Sequence, residues 1–583
     1  MKKFFALTGL IAVAGSLMLH YLFNYKISTI LYHWSVIVMI HFAVALINLG
    51  ILQIRNVTAG KIVFHTVNFF FLLFLVLFYL VILASNGLWG KTITINILKD
   101  YVLSIHDLIA VLPVEGWIFY TAFFILLILI FLLYKLAAPR YLELVKNWTG
   151  IFSSRRFRLR FLLATAAFFV LVILFRGPIM NYKRTMHFGE EPVLEFVFGP
   201  MWYPSSLEDI YSTRRQQNSL RERECIANVT DLPSAVKPHI TIVVLVDALR
   251  NDHLPMYGYS RMTTPFLDSL YRSGNLLSVR HAFSTSSGTL IGVAGLFSSK
   301  NWEDFGYTGL SLMKFMNKTQ HKTYAFLTGH HRTWYGLTAI YKNDCNVFYE
   351  SARTYSQMDL DDLTTLSEIQ RTKLDPNSFV YIHLLSAHEL GKKNEMFRKF
   401  LPDKIGIGTD KKTAFINNYD NGILQMDYFM RNLFQKLNKD GLLDNATVYV
   451  LADHGHMFGE YGQWNHAGSI NPVVVSIPML IYDNDKTWYK NTEQATLKDV
   501  APTIADRLGY PLPACWDGQS LGKPPHDFSI RINVENKCDL PEATLSAKQG
   551  SFTLDMYNDQ KKLKKKATLL KDETAWKVED ISN

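Results

Sequence analysis

Five apolar runs near the start of the chain leave few ways to fold it. Phe4 to Phe23, Ile27 to Leu52, Ile62 to Ser85 and Trp117 to Tyr134 contain no Asp, Glu, Lys or Arg; Phe161 to Phe175 is a fifth, bounded by Arg160 and Arg176. A helix needs about 20 apolar residues to cross a bilayer core, which the first three satisfy comfortably and the fourth adequately. The fifth is short, but the long stems of its flanking arginines can reach the headgroups. Spans are therefore expected at about 4–23, 27–52, 62–85, 117–134 and 159–176, with a buried soluble helix as the alternative for the last. His33, His41 and His65 fall inside these runs and are expected to make interhelical hydrogen bonds.

Charge sets the orientation. Lys2 and Lys3, Arg55 and Lys61, and the group Arg140, Lys146, Arg155, Arg156, Arg158 and Arg160 all fall on one side of the alternating spans. Basic loops stay cytoplasmic, so the N-terminus is expected inside and everything after Phe175 outside. A cleaved signal peptide is the alternative for the first run. The net charge of +10, from 60 basic and 50 acidic residues, is accounted for largely by these loops, and no nucleic-acid partner is expected. The stretch Asn86 to Gly116 is amphipathic and is read as a surface-lying segment or a plain connector.

Three parts follow: a transmembrane domain over 1–176, a polar linker over 177–237, and an outer domain over 238–583. In the outer part, β-branched runs such as "HITIVVLVD", "SFVYIHLLSAH" and "ATVYVLADHG" alternate with helical ones, among them an amphipathic stretch from Phe415 to Leu437. That alternation predicts an α/β fold with a largely parallel central sheet flanked by helices. The lysine-rich "KKLKKK" from Lys561 reads as solvated surface. All four cysteines (Cys225, Cys345, Cys515, Cys538) lie in the outer part, where an oxidising compartment permits disulfides; Cys515 with Cys538 is the favoured pairing, and four free thiols the alternative.

Ligands of open α/β sheets gather at the carboxyl ends of strands. Asp247 ends one apolar strand, and Asp453 and His454 end another. One carboxylate after a strand usually caps a turn, but two strand ends with Asp and Asp-His make an oxygen and nitrogen donor set suited to a divalent transition metal. Between them "HAFSTSSGTLIGVAGLFSS" predicts a helix opening at Ser287, Gly288 or Thr289. Its unpaired N–H groups would favour a phosphate, and a hydroxyl beside a metal would be an activated nucleophile.

The ordered set "VDALRNDHLPMYGYSRMTTPFLD", "SSGT", "LLSAH" and "ADHGHMFGEYGQWNHAG" followed by "IPMLIY" resembles the sulfatase-type branch of the alkaline phosphatase superfamily, over roughly residues 238–525. Five spans ahead of such a domain resemble the membrane-bound bacterial phosphoethanolamine transferases, with lipoteichoic acid synthases as cousins. The resemblance implies that Asp247, Thr289, Asp453 and His454 hold the metal, zinc favoured and manganese possible. It implies that Thr289 is the nucleophile, ahead of Thr285, Ser286 and Ser287, and that His388 and His466 contact substrate or a second metal. His253, His330, His331 and His456 stay open as ligands or bystanders. Asp247 stands where those transferases generally carry glutamate. True sulfatases need a C/S-x-P-x-R context, which is absent around Thr289, so phosphoryl chemistry is expected over sulfate-ester hydrolysis.

The function so implied is transfer of a phosphoethanolamine-type headgroup, from phosphatidylethanolamine to lipid A or another envelope glycan, through a phospho-threonine. The alternatives are a glycerol-phosphate transferase or phosphoester hydrolase of the same superfamily, and a non-catalytic membrane regulator that senses lipopolysaccharide.

Overall fold

The computed structural model describes the chain outside 103–113, 146–190, 199–220, 233–237, 333–336, 353–358, 467–469, 534–541, 571–574 and some stretches of one or two residues. It divides into two compact units, 1–98 with 117–206, and 99–116 with 207–583.

The first unit holds helices α1 (Lys2–Phe23), α2 (Ile27–Ile51), α3 (Val57–Trp89) and α4 (Gly116–Ala137). All four are long and apolar enough to cross a membrane, and they coincide with the first four expected spans. The fifth, at 159–176, lies outside the described residues, as does most of the amphipathic stretch before Gly116. These helices are apolar on every side: Phe4, Phe64 and Leu72 are buried, while Phe124, Leu129 and Leu136 face outward. Only a hydrocarbon solvent makes such outward faces favourable. His33, His41 and His65 each join two helices, His41 to Thr8 at 2.9 Å, His33 to Tyr79 at 2.7 Å and His65 to Tyr134 at 2.8 Å. His33 also meets Glu191 at 2.5 Å.

The second unit is built on a seven-stranded sheet: β1 (Ile240–Val246), β2 (Leu277–Ser278), β3 (Lys322–Leu327), β4 (Val347–Glu350), β5 (Ser378–Leu384), β6 (Ala446–Leu451) and β7 (Met479–Tyr482). The order is β2-β7-β6-β1-β5-β3-β4. The five strands from β6 to β4 run parallel, whereas β7 pairs antiparallel with both β6 and β2. The sheet is therefore mixed at one side. β1, β5 and β6 are buried along their whole length, as continuous β-branched and aliphatic runs must be when helices cover both faces. Three further helices bear on the site and its surroundings: α5 over 221–229, α6 (Thr289–Ser298) and the long α7 (Lys411–Lys439). The amphipathic run from Phe415 supplies most of α7, capped by Asp410, whose side chain accepts the Thr413 N–H.

The C-terminal region departs from the sequence expectation. Five antiparallel strands between Phe528 and Asp580 form a second sheet. Its alternate residues Ile530, Leu545, Leu554 and Leu569 pack with Phe283, Ile470 and Val475. The lysine run is exposed or half-exposed, as expected, but its last four residues open the Leu563–Leu570 strand, in which Ala567 and Leu569 are buried.

Candidate metal centre

β1 and β6 end side by side, since Leu245 pairs with Leu451. The chain leaves both at the same level, which brings Asp247 and Asp453 together. Asp247 is anchored by its N–H, which donates to the Leu384 carbonyl at 2.9 Å. The next residue, Ala248, takes the left-handed conformation with φ of 62°, sparsely populated for a residue with a Cβ. That turn aims the Ala248 N–H at Asp453 Oδ1, 3.2 Å away; the same oxygen accepts the His454 N–H at 3.0 Å.

Asp453 Oδ1 is thus occupied, while Oδ2 is buried with no hydrogen-bond partner. Asp247 is arranged likewise: Oδ2 faces His383 Nε2 at 3.4 Å and the Thr289 hydroxyl at 3.5 Å, and Oδ1 has no partner. His454 Nδ1 bonds the Gly455 carbonyl at 2.9 Å, which fixes the proton on Nδ1 and leaves the Nε2 lone pair free. Nε2 lies 3.6 Å from Asp247 Oδ1 and 3.5 Å from Asp453 Oδ2. Among the described residues, these three form the group of metal-competent donors, with atoms within 4.8 Å of one another. Two buried carboxylate oxygens without a donor cost several kcal/mol unless a cation meets them. The residues fit a divalent metal.

Thr289 is the first residue of α6, and Gly288 is its extended N-cap. The Thr289 hydroxyl lies 3.2 Å from His454 Nε2. Of the neighbouring hydroxyls, Ser284 donates to the Ser286 and Asp453 carbonyls, Ser286 donates to the Asn533 carbonyl, and Thr285 and Ser287 are buried without a partner. Gly292, one turn into α6, permits the close approach, since a Cβ there would sit 2.7 Å from the Asp453 carbonyl oxygen.

His466 stacks on His454 with ring centroids 4.1 Å apart, and His388 and His456 flank it at 5.4 and 5.8 Å. All six residues carried over by the resemblance therefore meet at one place, joined by His456. The other open histidines do not meet there. His253 pairs with Asp420 at 2.7 Å, His330 faces Glu350, and His331 bonds Tyr341 and packs edge-on against His383. Sequence reasoning missed His383, which sits inside an apolar strand. It also missed Glu389, whose carboxylate is 3.9 Å from His456, and Lys393, which donates to the His388 carbonyl at 2.5 Å.

Burial opposes ionisation of Asp247, but His388, the hydrogen bond from His383 and His454 outweigh it and hold its carboxyl well below the usual range. Burial and then the neighbouring Asp247 charge push Asp453 upward. Burial drives His388 down to about 4 and His466 and His456 well below the ordinary histidine value. All three are neutral at pH 7. Burial also raises Glu389 to about 7 and lowers Lys393 to about 7, the environment-tuned behaviour typical of functional clefts.

A model of the sulfatase family matches residues 239–510. Among curated proteins, the chain is similar to phosphoethanolamine transferase EptC of Escherichia coli, 26% identical over 318 residues, covering 50% of this chain and 52% of that protein. It is also similar to the Kdo(2)-lipid A phosphoethanolamine 7''-transferase of Escherichia coli, 23% identical over 339 residues, covering 54% and 57%. The chain spans about half the length of these relatives. Among solved structures, the C-terminal periplasmic domain of EptC from Escherichia coli in complex with Zn superposes with a TM-score of 0.45 at 20% identity, covering 51% of this chain and 93% of that one. The integral membrane phosphoethanolamine transferase EptA of Neisseria meningitidis gives 0.44 at 15% identity, covering 85% and 94%.

Proposed function

We propose that the chain, whose residues 239–510 match a model of the sulfatase family, is a metal-dependent transferase of the EC 2.7.8 type. It would move a phosphoethanolamine-type headgroup from a phospholipid, phosphatidylethanolamine first among candidates, to lipid A or another envelope lipid or glycan. The observation that carries this reading is the convergence of two orphaned carboxylate oxygens on His454 Nε2, which itself lies 3.2 Å from the hydroxyl that opens α6.

Asp247, Asp453, His454 and Thr289 would hold the metal. A divalent ion there, zinc before manganese because of the mixed oxygen and nitrogen donors, would supply charge that lowers the pKa of a bound hydroxyl and offsets phosphoryl charge. Thr289 Oγ1 attacks phosphorus in line and forms an Oγ1–P bond as the bond to the diacylglycerol oxygen breaks. The Thr289 proton passes to His388, His466 or a water and returns to the departing alkoxide; burial leaves both histidines neutral beforehand. The acceptor hydroxyl oxygen then attacks phosphorus from the opposite side, the Oγ1–P bond breaks, and the acceptor's proton passes to Oγ1, which regenerates Thr289. The unpaired N–H groups at the start of α6 favour the phosphoryl oxygens throughout.

The apolar helices would keep donor and acceptor lipids in the same leaflet as the enzyme, with the catalytic domain on the periplasmic side of the inner membrane. A non-catalytic lipid sensor would have no use for the converging donors.

The test is transfer of a headgroup-labelled phosphatidylethanolamine to purified lipid A by the full chain in detergent, with wild type beside Thr289→Ala. Label in the acceptor with wild type alone supports the reading. Equal labelling by both, or by neither in metal-replete protein, contradicts it.

A further inference from the structure

Two cysteines far apart in sequence meet inside the second unit. Cys225 lies in the middle of α5, and Cys515 lies in the segment after the Val500–Arg507 helix. They are 5% and 0% exposed. The Cys515 N–H donates to Cys225 Sγ at 3.0 Å across 290 residues of sequence.

The surroundings hold both partners in place. Arg221, one turn before Cys225, donates to the carbonyl of Ala514, the neighbour of Cys515. Glu222 pairs with Lys300 and accepts the Leu310 N–H at 2.8 Å. Trp516, next after Cys515, donates its indole N–H to the Leu310 carbonyl at 3.0 Å. Leu310 thus links both cysteine-bearing segments. The backbone on each side holds Cys225 Sγ against the Cys515 main chain, which brings the two cysteines close enough for the short Cα separation that a disulfide requires.

We propose that Cys225 and Cys515 form a disulfide that fastens α5 to the segment following residue 507. This replaces the Cys515–Cys538 pairing expected from sequence; Cys538 lies outside the described residues. Cys345 is occupied elsewhere, with its thiol donating to the Val347 carbonyl at 3.0 Å.

The bond forms by thiol–disulfide exchange with a disulfide-bearing oxidant of the envelope. One cysteine thiolate attacks the oxidant disulfide, the other resolves the mixed disulfide, and two electrons and two protons leave in the oxidant's two thiols. Burial, and then the hydrogen bond from Cys225, push the Cys515 thiol up to about 12. Thiolate is therefore scarce in the folded domain, and the exchange belongs to a stage before α5 docks. Once formed, the bond closes a long loop, where constraint on the unfolded chain is greatest.

The test uses the full chain expressed with its membrane helices and purified in detergent without reductant. Thiols are blocked with N-ethylmaleimide under denaturing conditions, and peptides are read by mass spectrometry. The expected result is a linked pair of peptides containing Cys225 and Cys515, with Cys345 alkylated. Alkylation of both Cys225 and Cys515, or a Cys515–Cys538 link, overturns the proposal. In a second measurement, a phosphine reductant should lower the wild-type melting temperature by roughly 5 °C or more. The shift should vanish in Cys225→Ser/Cys515→Ser, and an equal shift in that variant contradicts the bridge.

Discussion

The two units bury polar groups in opposite ways. In the membrane unit, Asn48 and Asn68 exchange side-chain hydrogen bonds at 3.0 and 2.7 Å, and His33 is bonded through both ring nitrogens, to Glu191 and to Tyr79. These polar side chains are answered by neighbours, as a medium without water demands, with the Trp34 indole N–H left as a lone exception among the described residues of that unit. At the strand ends of the second unit, one oxygen of Asp247 and one of Asp453 are left unanswered while their partner oxygens are carefully held. Saturated clusters serve structure, and convergent unsaturated ones leave room for a ligand. Convergence matters: His321 Nε2 is also buried without a partner, but it stands alone and marks no site.

Variants that fill or empty each cluster should separate these roles. The largest effect is expected for Asp453→Asn, which keeps the shape but removes the charge. Metal should fall below stoichiometry by elemental analysis and transfer should drop about a thousandfold or more, while helix content by circular dichroism stays unchanged. His33→Leu should act the other way round, leaving the Glu191 carboxylate buried without its partner. A loss of about 3 kcal/mol is expected in detergent unfolding, with metal content preserved.

Gly292→Ala tests the close approach of α6 to Asp453. The added Cβ must displace the carbonyl 2.7 Å away, and metal affinity measured by competition with a chelator should weaken about 10- to 100-fold.

The smallest effect concerns the isolated orphan. Burial lowers His321 to about 4, so its folded pKa lies below the unfolded value of about 6.5. Its contribution is present above that unfolded value and is lost as pH falls towards 4. Wild type should lose up to about 2 kcal/mol between pH 7 and pH 5 from this group. His321→Gln should flatten that dependence in urea titrations, with transfer at pH 7 retained.

Much of the site was legible in the sequence because its parts sit where local patterns end. Asp247, Asp453 and His454 each follow an apolar strand, and the glycine and threonine before "LIGVAGLF" mark a helix start. His383 was hidden because it occupies an ordinary position in β5. Only the register of β5 on β1, pairing His383 with Leu245, turns it towards Asp247, and strand order is not written in local sequence. The antiparallel β7 escaped for the same reason, since "IPMLIY" reads alike in either direction. The C-terminal sheet had a usable signal, the strict alternation of Ala543, Leu545 and Ala547 and of Phe552, Leu554 and Met556 inside it. The neighbouring lysines masked it. The Cys225–Cys515 approach depends on a contact across the whole second unit, which spacing cannot supply.

The central claim is that the Thr289 hydroxyl, set beside the unsaturated donors, takes the phosphoryl group. Intact-protein and peptide mass spectrometry after incubation of the metal-replete full chain with phosphatidylethanolamine, without acceptor, tests it most directly. A phosphoethanolamine adduct on Thr289, absent from Thr289→Ala, is the predicted result. An unmodified Thr289 in a protein that still transfers the headgroup, or an adduct on Ser287 or Thr285, would contradict it.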